Sequence, residues 1–144
     1  WRCLMTRDEV LALLERRRSA IERRDERALA ALYGEDIRLE SPIAGLAVGR
    51  DAAVKATWAF FEGFSDATVV EDLFAIDDDR VVLVAHLAGT HTGEIMGLPP
   101  SGRRFRLRAA FLLRVDQGVI VEEQRIYDFT GLLVQIGALK AKPA

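Results

Sequence analysis

The chain has 144 residues, half of them hydrophobic, and a formal net charge of −2. That is one domain with enough apolar content to bury a core unaided, and its acidic balance gives no electrostatic case for nucleic acid or an anionic membrane. Cys3 is the only cysteine, which excludes an internal disulfide and fits a cytoplasmic, reducing setting.

No apolar run is long enough to cross a bilayer, and charges break up the first 25 residues, so no signal-peptide core is expected. Met5 followed by Thr-Arg-Asp-Glu would make a natural start. Residues 1–4 therefore read as an appended remnant or the cut end of a longer chain, and the domain is placed at 5–144.

Thr6 and Glu9 form a capping-box pair in front of a first helix. Val10, Leu11, Leu13, Leu14 and Ile21 make its apolar face. Arg16, Arg17, Arg18, Glu22, Arg23 and Arg24 read as its solvated face. Asp25 caps a short second helix, with Leu29, Leu32 and Tyr33 on one side and Gly34 as its left-handed stop. Ile37 to Ser41 alternates like a strand and ends at a turn around Pro42 and Gly45. Asp51 opens a third helix whose aromatic face includes Trp58, Phe60, Phe61 and Phe64.

Strands follow at 67–76 and 80–91, with Asp77-Asp78-Asp79 as the turn between them. After a loop over 93–102 come strands at 105–115 and 119–129, joined at Asp116-Gln117-Gly118. Gly118 suits the left-handed position of a three-residue hairpin loop. A short amphipathic helix at 132–139 closes the chain. Three helices and one early strand followed by long antiparallel strands define an α+β fold, with helices on one face of a curved sheet.

Alternation gives the two long strands their faces. Phe105, Leu107, Ala109, Phe111 and Leu113 point to the helices, while Arg104, Arg106, Arg108 and Arg114 point away. A hairpin centred on Gln117 sets Leu113 near Val121, Phe111 near Glu123, Ala109 near Arg125 and Leu107 near Tyr127. Glu123, Arg125 and Tyr127 then enter the apolar side. Two readings stay open for the charges: a wetted i,i+2 ion pair near the open end of the sheet, or the polar wall of a ligand pocket.

His91, at a strand end beside a Gly-rich loop, is available as acid, base or donor. His86 has the opposite parity and reads as structural. Asp128 ends the last strand, where it caps the final helix or takes part in chemistry. The histidines have no metal-ligand spacing with Cys3 or the carboxylates, and no phosphate-binding Gly loop follows a strand. No metal and no cofactor is called for.

Three blocks carry a family resemblance: GTHTGEIMGLPPSGRRF (89–105), RVDQGVIVEE (114–123) and YDFTGLLVQIGAL (127–139). They resemble the SnoaL-like polyketide cyclase family within the NTF2-like superfamily. The resemblance implies a cone-shaped barrel, in which a curved antiparallel sheet wraps around three N-terminal helices and a short C-terminal helix follows. It also implies a deep apolar pocket, homodimerisation through the sheet, and cofactor-free acid/base cyclisation or isomerisation of polyketide- or terpenoid-like molecules.

Counted from Gly97-Leu98-Pro99-Pro100, the family's aspartate and histidine positions fall on Arg125 and Phe111. A rearranged site is therefore expected. His91 is the preferred proton-transfer group, Glu123 a second base weakened by its arginine, and Arg125 the stabiliser of an enolate or alkoxide. Tyr127, Asp128, Trp58, Phe111 and Ser41 are expected to contact substrate. The competing expectations are a non-catalytic binder of a hydrophobic ligand and a plain dimerisation domain with its pocket filled by Trp58, Phe60 and Phe111.

Overall fold

The computed structural model describes residues 3–141; residues 1–2 of the expected leading remnant, and 142–144, lie outside the described residues. Helix α1 spans Arg7–Glu22, and the Thr6–Glu9 capping box is present at its start. Helix α2, Glu26–Leu32, is capped by Asp25. Strand β1 is Tyr33–Ser41 and β2 is Gly45–Val48. Helix α3 runs Arg50–Gly63. Strands β3 to β6 are Thr68–Asp77, Arg80–Thr90, Arg104–Asp116 and Val119–Tyr127, and helix α4 is Phe129–Gln135.

The six strands form one sheet in the order β2-β1-β6-β5-β4-β3. All pairings are antiparallel except β1 with β6, which is parallel. The sheet is curved and unclosed, with α1, α2 and α3 against its concave side. The core lies between them: Val10, Leu13 and Ile21 of α1, Ala53 and Val54 of α3, and inward-facing Leu83, Ala85, Phe105, Ala109, Phe111 and Leu113 are all buried.

Two early expectations are corrected. Gly34 is not a helix stop. Tyr33 already has an extended backbone (φ −92°, ψ 135°), so α2 passes straight into β1. Val121 Cγ1 would lie 3.3 Å from a Cβ at Gly34, so a side chain there would crowd β6. The segment after Pro42 and Gly45 is more than a turn: it returns as β2, paired with β1 through Leu39–Ala47.

The β5–β6 hairpin differs most from its expected register, and the difference positions the site. Gln117 and Gly118 have φ of 48° and 82°, so the connection is a two-residue turn closed by Asp116 opposite Val119. Both residues being left-handed matches a type I′ turn. A register shift follows between Arg114 and Val115. Beyond it Leu113 faces Glu123, Phe111 faces Arg125 and Ala109 faces Tyr127, each two residues from the expected partner.

The turn and the bulge each shift the ladder by one residue. Either alone would invert every side chain of β6. Without the bulge Leu113 would face Glu122, and Glu122, Gln124 and Ile126 would enter the core. Together the two shifts restore the inward set Glu123, Arg125 and Tyr127. The arginine stripe stays outside: Arg104, Arg106 and Arg108 are exposed, and Arg114 meets Glu122 at 3.2 Å.

Candidate active site

A cavity of about 50 Å³ lies between the concave sheet and helices α1 and α3. Its apolar wall is made by Ile21, Phe60, Phe61, Val69, Leu87 and Phe111, and its polar lining by Arg17, Ser41, Thr57, Arg125 and Tyr127.

Each polar group is there for a local reason. Arg125 and Tyr127 come in on alternate residues of β6 because of the compensated register just described. Thr57 sits on the buried face of α3, and its hydroxyl donates to the Ala53 carbonyl one turn back. Ser41 ends β1, and its Oγ accepts the Ala44 N–H, bracing the turn into β2. Arg17 lies on α1 one turn beyond Leu13 and Leu14, so helical spacing carries it to the buried face.

Arg17 is the residue that the amphipathic reading placed in solvent. It is 1% exposed. The signal for it was available in position rather than type, since 17 continues the spacing of 10, 13, 14 and 21. Its long aliphatic stem packs in the core while its guanidinium sits 5.0 Å from the Phe111 ring centroid.

Behind the cavity, Glu123 joins the two arginines. Its Oε1 accepts from Arg17 Nε at 3.3 Å and the Tyr33 hydroxyl at 3.5 Å. Its Oε2 accepts from Arg125 Nε at 2.7 Å and stands 2.6 Å from Arg125 Nη2. Arg125 Nη2 also donates to Thr57 Oγ1 at 2.7 Å. Burial pulls the Glu123 carboxyl upward, but the charges and hydrogen bonds of Arg17 and Arg125 outweigh it and bring it down to about 2. Glu123 is a fixed carboxylate that orients arginines. It does not line the cavity, and its depressed affinity for protons disqualifies it as the expected base.

Burial pushes the Tyr127 phenol up to about 12, against the opposing pull of Arg125, so it is a neutral donor at physiological pH. Burial also raises the Glu71 carboxyl, against the nearby Arg17 charge. Glu71 lies on edge strand β3, with Oε1 3.7 Å from Arg17 Nη1.

The structure thus brings Arg125, Tyr127, Phe111 and Ser41 together around one cavity, keeps Glu123 behind it and places His91, Asp128 and Trp58 elsewhere. His91 is 1% exposed and packs against Phe64 at 5.7 Å between ring centroids. Its Nδ1 meets Ser101 Oγ at 3.0 Å and accepts the Ser101 N–H at 3.2 Å, which puts the ring proton on Nε2. Its position just past β4 lets it tie down the 93–102 loop instead of entering the cavity. Asp128 accepts the Gly131 N–H at 2.8 Å and caps α4. Trp58 is on the other side of α3, in a groove with Glu26 and Arg27, and backs the cavity only through an edge contact to Phe61. His86 is on the outer face, bound to Asp72 at 2.9 Å. Among the described residues no cluster of metal-ligating side chains occurs.

Fold and site define an NTF2-like α+β cone around a narrow apolar cavity with arginines on its polar wall. Residues 12–136 match the SnoaL-like polyketide cyclase family, and the chain belongs to it. A curated relative, nogalonic acid methyl ester cyclase of Streptomyces nogalater, is 39% identical over 51 residues. That stretch covers 35% of this chain and only 38% of the relative's length. Among solved structures, AclR of Streptomyces galilaeus superposes with a TM-score of 0.81 at 28% identity, over 96% of this chain and 87% of that one. TsrD of Streptomyces laurentii gives 0.82 at 25%, over 94% and 99%. Among the described residues no helix is long and apolar enough to cross a membrane.

Proposed function

We propose that the protein performs a cofactor-free, enolate-centred cyclisation or isomerisation of a hydrophobic, polyketide- or terpenoid-like metabolite. Family membership and the name of the nogalonic acid relative support the reaction class. The observation that carries the reading is Arg125 and the neutral Tyr127 phenol side by side in an otherwise apolar cavity. Donors held in a low-dielectric site stabilise a developing oxyanion far better than water does.

In this scheme a C–H between two carbonyls gives its proton to solvent water, and the electron pair moves onto oxygen beside Arg125. For cyclisation the enolate carbon adds to a second carbonyl of the same molecule. One C–C bond forms, and the new alkoxide, hydrogen-bonded by Tyr127, takes a proton from solvent. For isomerisation the proton returns at a different carbon. Glu123 keeps the Arg125 guanidinium in place throughout. The site is rearranged in that Arg125 and Phe111 stand at the family's aspartate and histidine positions, and Arg125 with the Tyr127 phenol carries the oxyanion.

The test is deuterium exchange at C2 of benzoylacetone, a 1,3-diketone of one ring. The protein is expected to accelerate exchange over buffer, and Arg125→Met to lower the rate on the order of 10²-fold. Benzoylacetone that binds yet exchanges at the buffer rate would overturn catalysis in favour of a ligand-binding protein. That alternative is favoured by one observation: among the described residues no carboxylate or imidazole lines the cavity.

The proposal includes a cytoplasmic setting and a homodimer through the sheet, whose outer face exposes Val70, Leu73, Leu112 and Ile126. Sedimentation equilibrium tests the dimer, and Ile126→Asp is expected to yield monomers.

A further inference from the structure

Arg17 has donors that the fold does not use. Its Nε is taken by Glu123. Its terminal edge carries only the 3.7 Å contact of Nη1 with Glu71, which is too long for a hydrogen bond, and Nη2 has no acceptor among the described residues. Arg17 is 1% exposed and is one of the residues around the cavity.

Leaving buried donors unmatched destabilises a protein, so such groups call for an explanation in what they bind. A helix facing a sheet core would be served as well by methionine or leucine at this position. Glu71 balances charge across the gap without satisfying the donors. Two parallel N–H groups on one planar edge match the two oxygens of a carboxylate better than a single carbonyl or hydroxyl.

We propose that Arg17 is the anchor for an acidic end group, so that the ligand of this pocket is an apolar keto acid bound through its carboxylate. The inference rests on the cavity being the ligand site of the preceding section, and it names the ligand's chemical class. Arg24 helps hold the cavity's shape. Its guanidinium lies 3.7 Å from the Phe61 ring centroid and donates to the carbonyls of Ile21 and Ala67 at 2.7 and 2.5 Å, bracing Phe61 against the wall.

The experiment compares benzoate with the isosteric neutral benzamide by titration calorimetry, on wild type, Arg17→Met and Arg17→Lys. Wild type is expected to prefer benzoate on the order of tenfold. Arg17→Met is expected to abolish the preference while benzamide still binds, which reports an intact pocket. Arg17→Lys keeps charge and stem but loses the fork, and should retain only part of it. Equal affinity of wild type for the two probes, a preference that survives in Arg17→Met, or no binding of either probe would each overturn the anchor. Benzoate selectivity with diketone exchange at the buffer rate would leave the anchor standing and remove catalysis. Accelerated exchange without selectivity would remove the anchor alone.

Discussion

Arg17 Nε stands 3.3 Å from Glu123 Oε1, and the two residues, 106 positions apart in the chain, are both sealed from solvent. The pair fastens α1 to the centre of β6, and Glu123 extends the link to Arg125. A buried carboxylate between two guanidiniums is held by mutual compensation, and removing the middle charge leaves Arg125 unbalanced and Arg17 with only the 3.7 Å contact to Glu71.

Glu123→Gln is therefore expected to cost about 3–5 kcal/mol of folding stability. Urea unfolding monitored by circular dichroism would read this as a lower midpoint at an unchanged slope. A loss below about 1 kcal/mol, the size of a surface pair, would show that Glu123 is not the keystone.

The same carboxyl sets an acid response. Its folded value, about 2, lies below the reference value of 4.5. A depressed carboxyl stabilises the fold above the unfolded value and loses that contribution as pH falls through the folded one. The window is thus from about pH 4.5 down to about 2, with a contribution of about 3 kcal/mol. Urea midpoints taken across this window should fall steeply for wild type and more gently for Glu123→Gln.

The hairpin turn gives a smaller test. Gly118 has φ 82°, which a Cβ tolerates poorly, so Gly118→Ala should cost about 1 kcal/mol. Gln117, at φ 48°, is also left-handed, and Gln117→Asn should stabilise by a fraction of the ~1 kcal/mol such strain carries. Thermal midpoints moving in opposite directions would confirm the two-residue turn. A neutral Gly118→Ala would refute it.

His91 separates architecture from chemistry. With its ring buried against Phe64 and bonded to Ser101, His91→Ala should cost about 3 kcal/mol through the cavity and the lost hydrogen bonds. Benzoylacetone exchange by the folded variant should match wild type. A loss of exchange in a variant of native stability would return His91 to the mechanism.

Much of this arrangement was legible before folding. The capping box, the Asp25 cap, the aromatic face of α3 and the inward face of β5 follow from periodicity and local hydrogen bonding, which depend on residues a few positions apart. The order of the elements gave the α+β class, and the family blocks at 89–139 gave its cone-shaped form. Phe111, Glu123, Arg125 and Tyr127 were rightly drawn to the inner side of the sheet by strand parity. Arg17 escaped because a charged residue in a run of arginines looks solvated, and its partner is on a distant strand. His91 and Asp128 were offered for chemistry by residue type, while Asp128 caps its own helix and the Nδ1 of His91 is held by its own loop, its Nε2 having no partner among the described residues.

Sequence alone determined most of the elements, the inward face of β5 and the family, because those depend on local spacing and side-chain size. Only the tertiary structure decided which charges share the core. A two-residue turn and a bulge, each shifting the ladder by one, turned Glu123 and Arg125 inward, and helix packing brought Arg17 to meet them. Register and helix docking are set by many contacts at once, so a buried carboxylate between two arginines could emerge only when α1 closed over β6.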